Sequence, residues 1–257
     1  MKISIITTTF NSATTLRNTI ESVLCQSYPN IEYIIIDGAS TDDTMSIIKE
    51  YEPLFAGRMR WISEPDKGMY DAMNKGIAMA TGEVVGILNS DDFYTSDNVI
   101  ETLIRELEIS EVDAVYGDIH YVKDGDLSKC VRHYSSANFR RWKMRMGWMP
   151  AHPSFYCRRS VYEKYGTFDC SFKIGADFEN LLRLIFVNRI QTKYVPINCV
   201  TMRIGGVSTS GLSSHKQIFR DHMQAYKKNA VYSNWLLESI RYIEKVWDIL
   251  LQKIRNQ

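Results

Sequence analysis

Four short apolar runs fall within the first ninety residues, and helical spacing follows each of them. The runs are Ile3, Ile5 and Ile6; Tyr33 to Ile36; Met59 to Ile62; and Val84 to Leu88, broken once by Gly86. Runs this short, closed by turn residues, read as strands buried on both faces. Behind them come Leu16, Ile20, Val23 and Leu24; Met45, Ile48 and Tyr51; Tyr70, Met73 and Ile77; and Val99, Ile100, Leu103, Ile104 and Leu107. Each set falls on one helical face. Asn11 or Ser12 is placed to cap the first helix. Such alternation demands a mostly parallel sheet with helices on both faces, because parallel neighbours need a crossover between them. The expected fold class is α/β.

Each of the four strands runs out into polar residues. Thr7-Thr8-Thr9-Phe10-Asn11 closes the first and Asp37-Gly38-Ala39-Ser40-Thr41-Asp42-Asp43 the second. Glu64-Pro65-Asp66-Lys67-Gly68 closes the third and Asn89-Ser90-Asp91-Asp92 the fourth. Ligands of open α/β sheets bind outside the carboxyl ends of the strands. Buried strands have no structural need for carboxylates there, so Thr8, Asn11, Asp37, Asp66, Lys67, Asp91 and Asp92 converging on one edge point to a ligand. Adjacent carboxylates repel and resist burial, and a divalent cation is the simplest compensation for Asp91 and Asp92. Hard oxygen ligands suit Mg2+ or Mn2+, ions that commonly also hold phosphates. The bland alternative is an N-cap for the next helix. Neither G-x-G-x-x-G after the first strand nor G-x-x-x-x-G-K-[ST] occurs, which argues against a dinucleotide site and a P-loop.

Beyond residue 112 the pattern changes. Asp113 to Gly117 and Ile119 to Val122 read as strands, Lys123-Asp124-Gly125-Asp126 as a hairpin turn, and Leu127 to Arg132 as the return. His152 to Cys157 reads as a strand, Asp177 to Phe186 as a helix, and Lys193 to Met202 as a strand interrupted at Pro196. Gly205 to Ser214 has the composition of a mobile loop, and two helices finish the chain. A net charge of +1 gives no ground for nucleic-acid binding. The five cysteines are scattered and lack metal-ligand spacing, as expected of free thiols in a reducing compartment. No apolar run approaches a membrane span. A cytoplasmic protein is expected, not necessarily remote from membranes and able to sit peripherally on the inner face of the cell membrane.

The runs T-T-T-F-N, I-I-I-D-G-A-S-T-D-D-T, E-P-D-K-G-M-Y-D-A-M-N-K-G-I and N-S-D-D resemble family-two glycosyltransferases of the GT-A fold. So do Phe168-Asp169 and the run A-D-F-E-N-L-L-R-L from Ala176. The resemblance implies a GT-A domain over residues 1–205, with a nucleotide-binding half (1–112), an acceptor half (113–205) and a C-terminal extension (206–257) of loop and helices. It implies an inverting, metal-dependent hexosyl- or N-acetylhexosaminyl-transferase. The donor would be a nucleotide-diphosphate sugar, by resemblance a UDP-sugar. The acceptor would be a glycan or lipid-linked glycan in surface polysaccharide synthesis. Thr8, Asn11, Asp37 and Asp66 would contact the nucleoside, with Lys67 near the nucleotide. Asp91 and Asp92 match the acidic metal motif, in which the last carboxylate usually touches the ion. Asn89 stands where many members carry another acid. Asp177 matches the catalytic base, for which an N-cap is the bland alternative.

Other residues keep two readings. His152 is an acceptor or leaving-group contact or a structural hydrogen-bonding residue. His215, behind the Gly-Ser loop, could reach the metal when that loop closes, as a late histidine does in some related enzymes. Arg203 would meet the diphosphate or be a solvated surface arginine. Asn138 to Met149 interleaves basic, aromatic and Met residues, a composition suited to anionic lipid head groups or to an ordinary packed loop. Trp235 to Ile254 is an amphipathic, slightly basic helix that would lie on a membrane, pair with a second subunit or cover the core. Two rivals to an active transferase are an inactive sugar-nucleotide-binding scaffold and a receiver-like signalling domain, which also gathers acids and a lysine at strand ends.

Overall fold

The structure, a computed structural model, describes residues 1–205 and 212–240. Strands β1 (Ile3–Thr9), β2 (Ile31–Asp37), β3 (Met59–Ser63) and β4 (Val84–Ile87) are parallel in the order β3-β2-β1-β4. Helices α1 (Leu16–Leu24), α2 (Thr44–Tyr51), α3 (Met69–Met79) and α4 (Val99–Ser110) connect and cover them. Every residue of β1, β2 and β4 is buried, as continuous apolar runs require. Alternate side chains face opposite layers. Ile5 and Ile35 pack with Leu16, Ile20, Ile48 and Leu103 on one side. Ile6, Ile34 and Ile36 pack with Tyr70, Met73 and Ile77 on the other.

The second half extends the same sheet with β5 (Phe93–Tyr94), β6 (Ala114–Val122), β7 (Arg132–Tyr134), β8 (Tyr156–Arg158) and β9 (Thr192–Arg203). The full order is β3-β2-β1-β4-β8-β6-β9-β5, with β7 pairing β6. Strand β8 is antiparallel to both β4 and β6 and brings Tyr156 opposite Gly86. A Cβ on Gly86 would lie 2.1 Å from the Tyr156 ring, so the one break in the β4 run makes room for that ring. Helices α5 (Arg159–Tyr165), α6 (Ala176–Leu181, continued by the π-helical Leu182–Val187) and α7 (Leu212–Lys228) follow, with 3-10 turns at Glu52–Phe55 and Arg141–Met146, and residues 235–240 are helical.

Several local expectations change. The two strands expected over 113–122 are the single β6, with register shifts around Tyr116 and Asp118. The hairpin return is β7, five residues later than Leu127; Val131 N–H still bonds the Tyr121 carbonyl. His152 does not open a strand: His152–Ser154 form a 3-10 turn before β8, shaped by Pro153. Strand β9 runs through Pro196, which sits at the register irregularity. Asn11 and Ser12 do not cap α1, which begins behind Thr15. Asn11 takes φ +49°, a conformation asparagine tolerates. Of the Gly-Ser segment, 206–211 lies outside the described residues, and its end already belongs to α7. Most of the Trp235 to Ile254 helix also lies outside them.

Candidate active site

The carboxyl ends of β1 to β4 meet at one edge, and their loops are cross-tied. Asn11 Oδ1 accepts from Thr41 N–H (2.9 Å), and Asn11 N–H donates to Ser40 Oγ (2.8 Å). Ser12 and Ser90 hydroxyls are 2.9 Å apart. Asp37 is wholly buried and accepts from Ser40 N–H, Ser40 Oγ and Ser63 Oγ. Asp37 thus shapes the loop, with its carboxylate enclosed rather than presented at the surface. Thr8 is buried, and the neighbouring Thr9 hydroxyl has no partner. A Cβ on Gly38 would stand 2.6 Å from Asp66 Oδ2 and 3.4 Å from the Phe10 ring. Asp66 and Phe10 therefore flank one backbone groove, and Phe10 is 62% exposed. Lys67 is exposed beside them, its N–H held by Asp71 Oδ2. In the sequence, only its place in T-T-T-F-N marks Phe10.

The run from Asp66 to Gly76 is explained bond by bond. Asp66 Oδ1 accepts from Gly68 N–H (2.7 Å), and Gly68 has φ +115°. Tyr70 OH donates to the Ile174 carbonyl. The Asn74 amide brackets Phe168, donating to its carbonyl (2.8 Å) and accepting from its N–H (2.9 Å). A Cβ on Gly76 would meet Ile6 Cγ2 at 2.3 Å, so α3 sits against β1 as only glycine allows. Helix α3 thus joins the Asp66 groove to the Phe168 and Ile174 segment.

Behind β4, Asp92 is 1% exposed. Its Oδ2 accepts from Asn89 Nδ2 (3.1 Å), while Asp92 Oδ1 and Asn89 Oδ1 are buried with no partner. Burial first, and the Asp91 charge second, push the Asp92 carboxyl well above the ordinary range; Asn89 and Arg203 oppose this. Burial also raises Asp91. Neither carboxylate caps α4, whose preceding residue is Asn98. Thr19 Oγ1 donates to the carbonyls of Ser90 (3.0 Å) and Asp92 (2.7 Å), fixing the turn. Arg203 is not a solvated surface residue. It is buried, donates to Asn18 Oδ1 (3.1 Å) and Asp124 Oδ1 (3.3 Å), lies 5.6 Å from the Phe93 ring centre, and has an unpartnered Nε.

Asp177 stands in the first turn of α6 and is partly buried. Its Oδ1 accepts from Phe178 N–H (2.7 Å). Burial raises its carboxyl to about 6; the Phe178 amide and His222 pull it down, and Asp221 pushes it up. Glu179 points elsewhere: it is fully buried, bonded by Arg183 and Asn229. Helix α7 lies against α6. Phe178 stacks on His222 with centroids 3.7 Å apart, and the Glu238 carboxylate holds His222 Nδ1 and Tyr226 OH, each at 2.8 Å. His152 is partly buried edge-on to Phe168, and burial lowers it to about 4, so it is neutral at pH 7. His215 lies in the first turn of α7. Among the described residues, no group of three or more His, Cys, Asp or Glu side chains is placed to hold a metal.

The sequence profile described as glycosyl transferase family 2 matches residues 4–175. The chain belongs to that family. This family-2 glycosyltransferase is 34% identical over 220 residues to an uncharacterised glycosyltransferase of Mycobacterium tuberculosis, covering 84% of this chain and 78% of the relative. It is 27% identical over 211 residues to a PGL/p-HBAD biosynthesis glycosyltransferase of Mycobacterium bovis, covering 80% and 79%. Among solved structures, S. aureus TarS 1-349 in complex with UDP-GlcNAc superposes with TM-score 0.71 at 17% identity, over 91% of this chain and 68% of that one. Of a longer TarS chain, this one spans 43%. The mannosyltransferase PcManGT from Pyrobaculum calidifontis, in complex with GDP-Man and Mn2+, superposes with TM-score 0.62 at 17% identity, over 96% and 80%. The fold is GT-A, as the motifs implied. The receiver-like alternative falls with the family assignment.

Proposed function

We propose that this glycosyltransferase moves a sugar, with inversion, from a nucleoside-diphosphate donor to a hydroxyl of a glycan or lipid-linked glycan. The observation that carries this is the dry Asp92 carboxylate beside Asp91, with one oxygen orphaned at the end of a buried strand. Such an oxygen fits a divalent cation, Mn2+ or Mg2+, as the ion of PcManGT also suggests. Asp92 would hold the cation with help from Asp91; bound there, it would offset charge on the departing diphosphate. The Arg203 charge opposes the rise that burial causes in both carboxyls, and its spare Nε is offered to the same phosphates. His215 is a further candidate ligand from α7.

Phe10, Asn11, Asp66 and Lys67 line the nucleoside groove, with Thr8 and Asp37 supporting it from below. Exposed Phe10 offers a face for a base. Uridine is the preferred base on the motif resemblance, with UDP binding tighter than ADP or GDP by calorimetry as its test. Asp177 accepts the proton of the attacking hydroxyl. A carboxyl at about 6 is ionised at neutral pH yet more basic than an ordinary aspartate. Neutral His152, against Phe168, borders the acceptor side.

We read residues 1–112 as the donor half, 113–205 as the acceptor half and 206–257 as the extension. Arg140, Arg141 and Trp142 are exposed beside Arg145 in sequence; Arg145 donates to the Tyr232 carbonyl (2.7 Å), and Tyr232, Trp235 and Leu236 are exposed in turn. That basic-aromatic face suits an anionic bilayer and a lipid-linked acceptor, on the cytoplasmic side. A second subunit is the alternative occupant.

The test is Asp177→Asn on folded protein. Asn keeps the Phe178 bond but cannot take the proton, so turnover falls about 10²- to 10⁴-fold while donor affinity holds. A fully active variant, or a wild type that binds donor yet never hydrolyses it, would favour the inactive scaffold or another base.

A further inference from the structure

Asp177 follows a turn that its own helix holds only at the Gly175 carbonyl, through Glu179 N–H (3.0 Å). Helix α6 runs on into a π-helical stretch, Leu182–Val187, but the segment before it, Asp169 to Gly175, contains no regular element. Something outside must fix the turn if Asp177 is to meet a hydroxyl with useful precision. Two contacts do so. Tyr70 OH donates to the Ile174 carbonyl from α3. From α7, the Asp221 carboxylate accepts both Ile174 N–H and Gly175 N–H at one oxygen, each at 2.9 Å. Its other oxygen accepts from Gln217 Nε2 at 2.7 Å, so the carboxylate is itself held in orientation. Asp221 is 2% exposed. A Cβ on Gly175 would come within 2.7 Å of the Asp221 Cβ, so glycine lets helix and turn approach this closely.

A buried carboxylate makes a poor general-purpose staple, because desolvation opposes its charge. Two backbone amides and a primary amide converging on it supply the compensation, as charge-assisted bonds do. The cost is justified where the fixed segment must hold its place to within a fraction of an ångström.

We propose that Asp221 is a positioning residue for transfer: it clamps the Ile174–Gly175 turn and so sets where Asp177 meets the acceptor. This rests on the reading of Asp177 as the base. Displacement of a base by about 1 Å costs up to about a hundredfold in rate without loosening a donor bound elsewhere. Asp221 acts through Asp177, so its removal should matter only while Asp177 is present.

The experiment compares Asp221→Ala, Asp221→Asn, Asp177→Asn and the Asp177→Asn/Asp221→Ala double variant. Gly175→Ala perturbs the same contact from the other side should Asp221→Ala fold poorly; Gly175 has φ −96°, which alanine adopts freely. Two readouts are used: amide hydrogen exchange over residues 170–180, and release of nucleotide from UDP-GlcNAc or GDP-mannose with Mn2+. In Asp221→Ala the Ile174 and Gly175 amides should exchange about tenfold faster or more. Turnover should fall about 10- to 100-fold with donor KM changed less than about threefold. Asp221→Asn keeps one oxygen for both amides and should retain most of both properties. The double variant should be no slower than Asp177→Asn alone. Unchanged exchange, undiminished turnover in Asp221→Ala or Gly175→Ala, or additive losses in the double variant would overturn the proposal. The two readings separate cleanly. An active Asp177→Asn removes the base and the clamp's catalytic purpose together. An inactive Asp177→Asn beside an undiminished Asp221→Ala removes the clamp's role alone.

Discussion

Asp177→Asn should make the protein more stable while disabling it, and the gain should depend on pH. Burial raises the Asp177 carboxyl from 3.8 to about 6. In the unfolded chain the group ionises near its ordinary value. Between pH 3.8 and about 6 the folded protein therefore binds the extra proton, and stability falls as pH rises. Above pH 6 the penalty is constant. The rise of about 2.2, at about 1.36 kcal/mol each, gives about 3 kcal/mol. Asp177 is partly open to water, so about 2 kcal/mol is the better expectation. Asn has nearly the same shape and can still accept from Phe178 N–H. It should raise the melting temperature by about 4–8 °C at pH 8, and by only a degree or two at pH 4. Thermal unfolding of both proteins at the two pH values measures the difference of differences, in which every other titrating group cancels. Parallel stability–pH curves, or a wild type more stable at pH 8, would refute the argument that Asp177 is held at a cost.

Other charged groups give the remaining predictions. Asp92→Ala should abolish transfer and weaken UDP binding in Mn2+, and excess chelator on wild type should do the same; full activity in chelator removes the metal from the mechanism. Glu32 is buried and drawn down to about 2: burial opposes this, but the Ser4 hydroxyl, Thr81 and Lys2 outweigh it. Its contribution is full above its unfolded value of 4.5 and is lost as pH falls toward 2, so Glu32→Gln should cost about 2 kcal/mol at pH 7 and almost nothing at pH 2 in thermal or denaturant unfolding. Arg141→Glu with Trp142→Ala should reduce sedimentation with vesicles containing one-third phosphatidylglycerol by about tenfold, leaving donor hydrolysis intact; unchanged binding would point the face to a subunit instead.

The first half of the fold was legible because its signals are local. Each strand of the first four is a run of consecutive apolar residues, and each following helix repeats within a few turns, so neighbours in sequence carry the whole pattern. The second half depends on distant partners. Strand β5 is two residues long and exists only because β9 lies beside it. His152 looked like a strand opener because aromatic and apolar residues follow it, but Pro153 and the Ser154 hydroxyl, which donates to the Gly117 carbonyl (2.9 Å), turn the chain first. The same division holds for the site. Asp91 and Asp92 announce themselves as adjacent acids ending an apolar run. Arg203 kept a solvated-surface reading beside the diphosphate one because nothing near it in sequence reveals Asn18, 185 residues away. Asp221 was invisible for the same reason: a lone Asp on a polar helix looks solvated until the turn it holds is seen, 46 residues earlier.

The match to the family profile ends at residue 175, and the helix that grips that very residue starts at Leu212. The matched segment is thus completed from outside, by a helix that follows it in the chain. On the proposed clamp, a change in α7 would re-aim Asp177 while leaving the groove beside Asp66 untouched. On that reading, exchanging the C-terminal third between relatives should alter the acceptor side, whereas transplanting residues 4–175 alone would leave out both Asp177 and the helix that holds its turn.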